Sequence, residues 1–289
     1  YDDRISNKPL KDYPLKDIEQ WHIEVVQTRM KETKTTANDV VKMISIIYSW
    51  AIKKKKIKAI NPVQNITKFK ENKIKIKLDE VDRKKVIDYC FSKAFDFFPR
   101  FLTYIALLLL TGKREEELLH LAWKQPTDKK HFEECSGWLV DNWEREKMIY
   151  LRDTKNRKSE LVYIDNQSLQ ILLRLQRSRY TEKNAWAVKS PFLFPQKNNI
   201  YKTATYSSFR KHLAALNERL ELSTKLMFKI CRKTFGSYIA QKKGIEIAAR
   251  KLNHSSTKVT RDHYIVPEDD ELKIDNIYES NVEQLKKAE

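Results

Sequence analysis

Two scarcities bound what this 289-residue chain can be: it has only four glycines and three cysteines. A loop that cradles nucleotide phosphates needs glycines in close succession, and Gly112, Gly137, Gly236 and Gly244 form no such cluster. Cys90, Cys135 and Cys231 are an odd set without metal-type spacing, which argues against a disulfide framework and a zinc site and points to a reducing compartment. Long apolar runs are missing too. The longest, Tyr104 to Leu110, falls far short of the roughly 20 residues that span a bilayer. No secretory leader is recognisable. Neither a membrane partner nor a cofactor is expected.

What the chain has in excess is positive charge. Lysine and arginine outnumber aspartate and glutamate by 57 to 39, a formal charge of +18. Each cation that meets a phosphate releases condensed counterions, so the excess favours a polyanion, with nucleic acid foremost. The length allows one large or two modest domains.

From Leu15 to about Ile66 the pattern is helical, and predicts a small all-α bundle. Ile18, Trp21 and Val25 form one stripe; Thr35 or Thr36 can cap a second helix carrying Val40, Met43, Ile44, Ile47, Trp50 and Ala51. Lys68 to Lys77 is charged and lacks an apolar stripe, so it reads as an extended linker, with one domain at 1–72 and another at 73–289. Leu78-Asp79 opens a new helix, and Phe101 to Leu121 supplies two more. Two β-rich runs, Lys147 to Leu151 and Leu161 to Ile164, flank a polar turn over Asp153 to Ser159, which is a hairpin signature. Helical periodicity returns at Leu169, Leu172, Leu173 and Leu175. The last segment, about 268–289, carries Leu272, Ile277, Val282 and Leu285 near one stripe, with little chain left to cover them.

Three strings carry chemistry. The first is an apolar helix running into Thr111-Gly112-Lys113-Arg114-Glu-Glu-Glu117-Leu118. The second is the hairpin string Thr154-Lys155-Asn156-Arg157-Lys158-Ser159. The third begins with Lys229-Ile-Cys-Arg232, continues through Leu252-Asn253-His254-Ser255-Ser256 and ends at Tyr264. Basic residues followed by a histidine and a tyrosine are what a tyrosine nucleophile needs to attack a DNA phosphate. The phosphodiester's charge grows in the transition state, so fixed cations must surround it and a proton donor must serve the departing 5′-oxygen. An ordinary phenol ionises near pH 10, which makes neighbouring cations a requirement for the nucleophile as well.

These strings, in this order, resemble the tyrosine recombinase (phage integrase) family, strongly over about residues 80 to 266 and weakly before that. The resemblance implies a helical core-binding domain followed by a mostly α catalytic domain with a small antiparallel sheet, the two clamping duplex DNA. It implies site-specific strand exchange through a 3′-phosphotyrosine, for integration or excision of a mobile element. Arg114 and Arg232 would bind the scissile phosphate, Glu117 would orient local groups, His254 would hydrogen-bond the phosphate and Tyr264 would attack. Lys155 would protonate the leaving oxygen, with Lys158 and Arg157 as competitors. His263, beside Tyr264, has no counterpart to carry over. Expected partners are double-stranded DNA, further copies of the chain in a tetrameric synapse linked by the C-terminal tail, and accessory DNA-bending proteins. The expected location is cytoplasmic, on the nucleoid.

The chain departs from the family pattern at three places. Lys229 stands where histidine is usual, and Asn253 where glycine is usual; asparagine also tolerates a left-handed backbone. Lys229 and Arg232, at i, i+3, share a helical face, but a lysine is a poor general base near neutrality unless its cationic neighbours depress its pKa. The stretch from Gln125 to Asp141 is longer than the usual connection and reads as an extra loop or helix on the active-site rim. Two other readings remain: a type IB topoisomerase, which shares the chemistry without synapsis, and a DNA-binding protein with weak catalysis, which Lys229 suggests.

Overall fold

The computed structural model describes residues 9–70, 76–152 and 159–264, and gives only the backbone of Glu182, His263 and Tyr264. The hairpin tip with Lys155 and the tail at 268–289 lie outside the described residues. The chain forms two compact units, divided between Ile74 and Lys75.

The first unit is built on α1 (Gln20–Arg29) and α2 (Lys34–Lys53). Its core gathers Ile18, Ile23, Val41, Tyr48 and Val63. Two buried amides hold the segment that follows: Gln27 donates to the Thr67 carbonyl at 2.9 Å, and Asn38 both donates to and accepts from the backbone of Phe69 at 2.9 Å. Lys68 to Lys70, expected as linker, is therefore tied to α2. The buried faces share Ile18 and Ala51 with the expected stripes and otherwise differ from them. Ile23 and Gln27 are buried in α1, and Ala37, Asn38, Val41, Tyr48 and Ala51 in α2, whereas Met43, Ile47 and Trp50 are exposed. Asn38 faces inward because its amide holds the Phe69 backbone.

The second unit opens with α3 (Glu80–Phe91), capped by the Asp79 carboxylate, which accepts from Asp82 N–H. Next comes α4 (Pro99–Thr111), apolar all round and buried along nearly its whole length, as a helix of that composition must be. Proline at its first turn and Gly112 in the left-handed region (φ 63°) bound it. A Cβ on Gly112 would stand 2.2 Å from the Phe235 ring, so glycine is required for packing as well as for backbone. A short α5 (Glu115–Leu119) then leads into β1 (Leu121–Ala122).

The stretch read as an insertion contains α6 (Lys129–Glu134) and β2 (Gly137–Leu139), followed by α7 (Trp143–Glu146), β3 (Met148–Leu151) and β4 (Glu160–Tyr163). The sheet order is β1-β2-β3-β4. β2, β3 and β4 pair antiparallel, with Trp138 opposite Tyr150 and Tyr150 opposite Leu161. β1 joins β2 in parallel, because the chain crosses through α6 before returning to the sheet. The remaining α-helices among the described residues are α8 (Asn166–Ser178), α9 (Tyr206–Leu220), α10 (Phe228–Lys243), α11 (Ile245–Lys251) and α12 (Thr257–Tyr264). α8 and α10 pack on α4, and α11 and α12 pack beside α10, which carries the two downstream site segments to the end of α4.

Candidate active site

Arg114, Lys229 and His254 sit at or beside the ends of helices, and Arg232 lies one turn inside α10. Arg114 precedes α5. Its guanidinium meets the Glu117 carboxylate at 2.6 Å, and the other oxygen of that carboxylate accepts the Arg114 backbone N–H at 2.8 Å. Glu117 thus fixes both the backbone and the side chain of Arg114. Roughly a quarter of the Arg114 side chain stays open to the surface, at 28% exposure.

Arg232, one turn into α10, is almost fully enclosed at 7% exposure. Its fork donates to the Gly112 carbonyl at 2.8 Å and the Leu252 carbonyl at 2.6 Å. The same guanidinium reaches His254 Nε2 at 3.2 Å. A guanidinium has no acceptor, so Nε2 accepts, and the ring proton is assigned to Nδ1, which donates to Thr260 Oγ1 at 2.7 Å. Thr260 is buried on α12, the helix whose last residue is Tyr264. Asn253 holds φ at 51°, the left-handed backbone that lets the chain turn from α11 to present His254.

Arg232 and Lys229 open onto one pocket of about 660 Å³. Lys113, Arg114, Arg152 and Lys233 complete its basic lining, with Glu115, Glu116, Glu117 and Glu134 among its acids. Lys229 is exposed at the mouth, near Glu115; burial raises the Glu115 carboxyl above its usual range, Glu116 adds to that, and Lys229 opposes it. The α6 to β2 region contributes Glu134, Cys135 and Ser136 to the wall. The structure therefore brings together Arg114, Lys229, Arg232 and, through Arg232, His254. Lys155 and the Tyr264 side chain lie outside what it describes. Sequence reasoning missed Thr260 as the partner of His254, and Arg152, whose place after β3 carried no signal of its own.

The sequence profile of the phage integrase family matches residues 77–271. The chain belongs to the phage integrase family. It is a site-specific DNA recombinase, and its second unit carries the family's match. Among curated proteins, none matches its sequence. In fold, this integrase is similar to the Tn1549 transposon integrase in complex with circular intermediate DNA, at 16% identity and a TM-score of 0.62, over 91% of this chain and 86% of that one. It is similar also to lambda integrase, solved as a dimer bound to a COC′ core site, at 14% identity and a TM-score of 0.63, over 93% of this chain and 69% of that one. A lambda integrase tetramer bound to a Holliday junction matches at 14% identity and a TM-score of 0.62, over 89% of this chain and 68% of that one.

Proposed function

We propose that this integrase cleaves and rejoins DNA through Tyr264, for integration or excision of a mobile element. The Tyr264 phenol loses its proton to solvent, its oxygen forms a bond to the scissile phosphorus as the bond from phosphorus to the 5′-oxygen breaks, and Lys155 gives the 5′-oxygen its proton. Arg114 and Arg232 neutralise the non-bridging oxygens, where charge grows most, and His254, which leaves Arg232 and takes a solvent proton at Nε2 while Nδ1 keeps its bond to Thr260, donates to one of them. Lys229 adds a point charge. The energy of the phosphodiester is kept in the phosphotyrosine, so a 5′-hydroxyl from a partner duplex can reverse the step without a nucleotide cofactor.

One observation carries this reading: the buried guanidinium of Arg232 bonds at once to the turn before Arg114, the turn before His254 and His254 itself. A surface arginine in a merely basic DNA-binding face would have no reason to be so fixed. Assembly on DNA follows the same reading. Strand exchange needs four active sites on two duplexes, and the solved lambda integrase dimer and tetramer support a synapse of that kind.

The test is incubation with labelled, nicked DNA from the flanks of the chain's own gene. The expected result is an SDS-resistant adduct that Tyr264→Phe abolishes while DNA affinity stays within about threefold, since only the nucleophile is lost. An adduct formed by the Phe variant would remove Tyr264 from the role.

A further inference from the structure

Lys113, the residue before Arg114, is a lysine almost wholly removed from water: its side chain is 3% exposed. Its ammonium meets the Glu160 carboxylate at 2.5 Å and the Lys251 carbonyl at 2.8 Å. The second Glu160 oxygen accepts from Asn253 Nδ2 at 3.2 Å. Burial presses the Lys113 pKa down, and Glu160 opposes that pressure. One ammonium thus joins three segments: the turn holding Arg114, the first residue of β4, and the α11 end that leads to His254. Arg232 spans two of the same segments, one residue back in the first and one residue on in the second, through the Gly112 and Leu252 carbonyls. Lys113 and Arg232 are therefore two neighbouring crosspieces between one pair of chain segments.

Folding alone does not call for an ion pair at such a place. A buried pair replaced by apolar residues of similar volume is often neutral or stabilising, because both charges lose their hydration on burial. What an apolar pair lacks is direction. The ammonium and the carboxylate fix hydrogen-bond geometry, and with it the distance between the phosphate-binding groups on either side.

We infer that Lys113 and Glu160 are positioning residues for strand cleavage, holding the Arg114 turn, the base of the hairpin and the His254 turn in register. Lys113 lines the pocket, but its ammonium is spent on Glu160 and the Lys251 carbonyl, so neither residue is assigned to the substrate. Their effect reaches the phosphate through Arg114 and His254, where a displacement of about 1 Å is enough to cost ~100-fold in rate. This inference rests on the recombinase reading above, and the wild-type protein separates the two: if it forms no covalent adduct, that reading fails and not the brace.

The experiment is single-turnover cleavage of nicked DNA by the full chain, recording rate constant and final amplitude separately, alongside melting temperature and DNA affinity. The Lys113→Met, Glu160→Leu double variant is expected to melt within a few degrees of wild type, since the Lys251 carbonyl and the Asn253 amide lose these partners, and to bind DNA within about threefold. It should reach wild-type amplitude, with a rate constant lower by about 10- to 100-fold. A purely structural role would do the reverse, lowering the amplitude as misfolded protein accumulates while the rate constant of the folded fraction stays put. If the double variant does not fold, Glu160→Gln keeps the shape and removes the charge, and a rate at least threefold lower at full amplitude is expected. A rate constant within threefold of wild type in the folded double variant, or in Glu160→Gln when the double variant cannot be made, overturns the proposal.

Discussion

The wall and the rim of the pocket hold cations of the same charge under opposite conditions. At the wall, Arg232 is enclosed and bonded to two main-chain carbonyls from distant parts of the chain. At the rim, Arg114 answers to a carboxylate three residues away, and Lys229 is exposed. The wall cation is part of the architecture, whereas the rim cations are carried by it. A charge fixed before DNA arrives needs no reorganisation in the transition state, and one exposed to water is screened until DNA displaces that water.

The sharpest test of that contrast is Arg232→Ala. It should lower cleavage by about 1,000-fold or more, since transition-state charge and the support of His254 go together. It should also lower the melting temperature. Two buried carbonyls would lose their donor, each costing ~1–3 kcal/mol, and in a unit of this size each kcal/mol is worth about 2–4 °C. Calorimetry beside an adduct assay reads both losses, and an unchanged melting temperature would mean the wall is no more architectural than the rim. Arg114→Ala comes next. Cleavage should fall by about 100- to 1,000-fold while the melting temperature barely moves, because Glu117 keeps the backbone N–H it already accepts. A thermal loss equal to that of Arg232→Ala would erase the distinction. The smallest effect belongs to Lys229. Lys229→Ala should slow cleavage by about tenfold without changing stability, and Lys229→His should retain most activity, since either side chain can donate a hydrogen bond to a phosphate. Equal rates in all three proteins would place Lys229 outside the site.

Much of the site was legible because its motifs are local strings: Thr111 to Leu118, Lys229 to Arg232, and Leu252 to Ser256 each announce themselves without any partner. What joins them was not. The acceptors of Arg232 are main-chain carbonyls, which carry no residue identity to read, and Lys113 is hidden in a run of charges that looks like a solvated helix start. The fold shows the same division. α4 could be read from composition alone, since a helix apolar all round has only one place to go. α2 could not. Met43, Ile47 and Trp50 lie outward, and the inward face is built from Ala37, Asn38, Val41, Tyr48 and Ala51, in which the polar Asn38 breaks the apolar stripe. β2 escaped for a simpler reason: three residues, Gly137 to Leu139, are too few to show a period, and the glycine is there because a Cβ would meet the Tyr150 carbonyl at 2.0 Å.

The three cysteines turn the second unit into its own reporter. Cys90, Cys135 and Cys231 all fall in that unit and are buried, and burial raises each thiol above its ordinary pKa. An alkylating reagent needs both access and thiolate, so modification in the native protein must wait for the structure to open. The first unit has no cysteine, and its motions are silent in such an experiment. Cys90 and Cys231 lie in the core around α4, whereas Cys135 lines the pocket. The ratio of labelling at Cys135 to labelling at the other two therefore separates breathing of the pocket from unfolding of the unit, in the unaltered chain and without any attached dye.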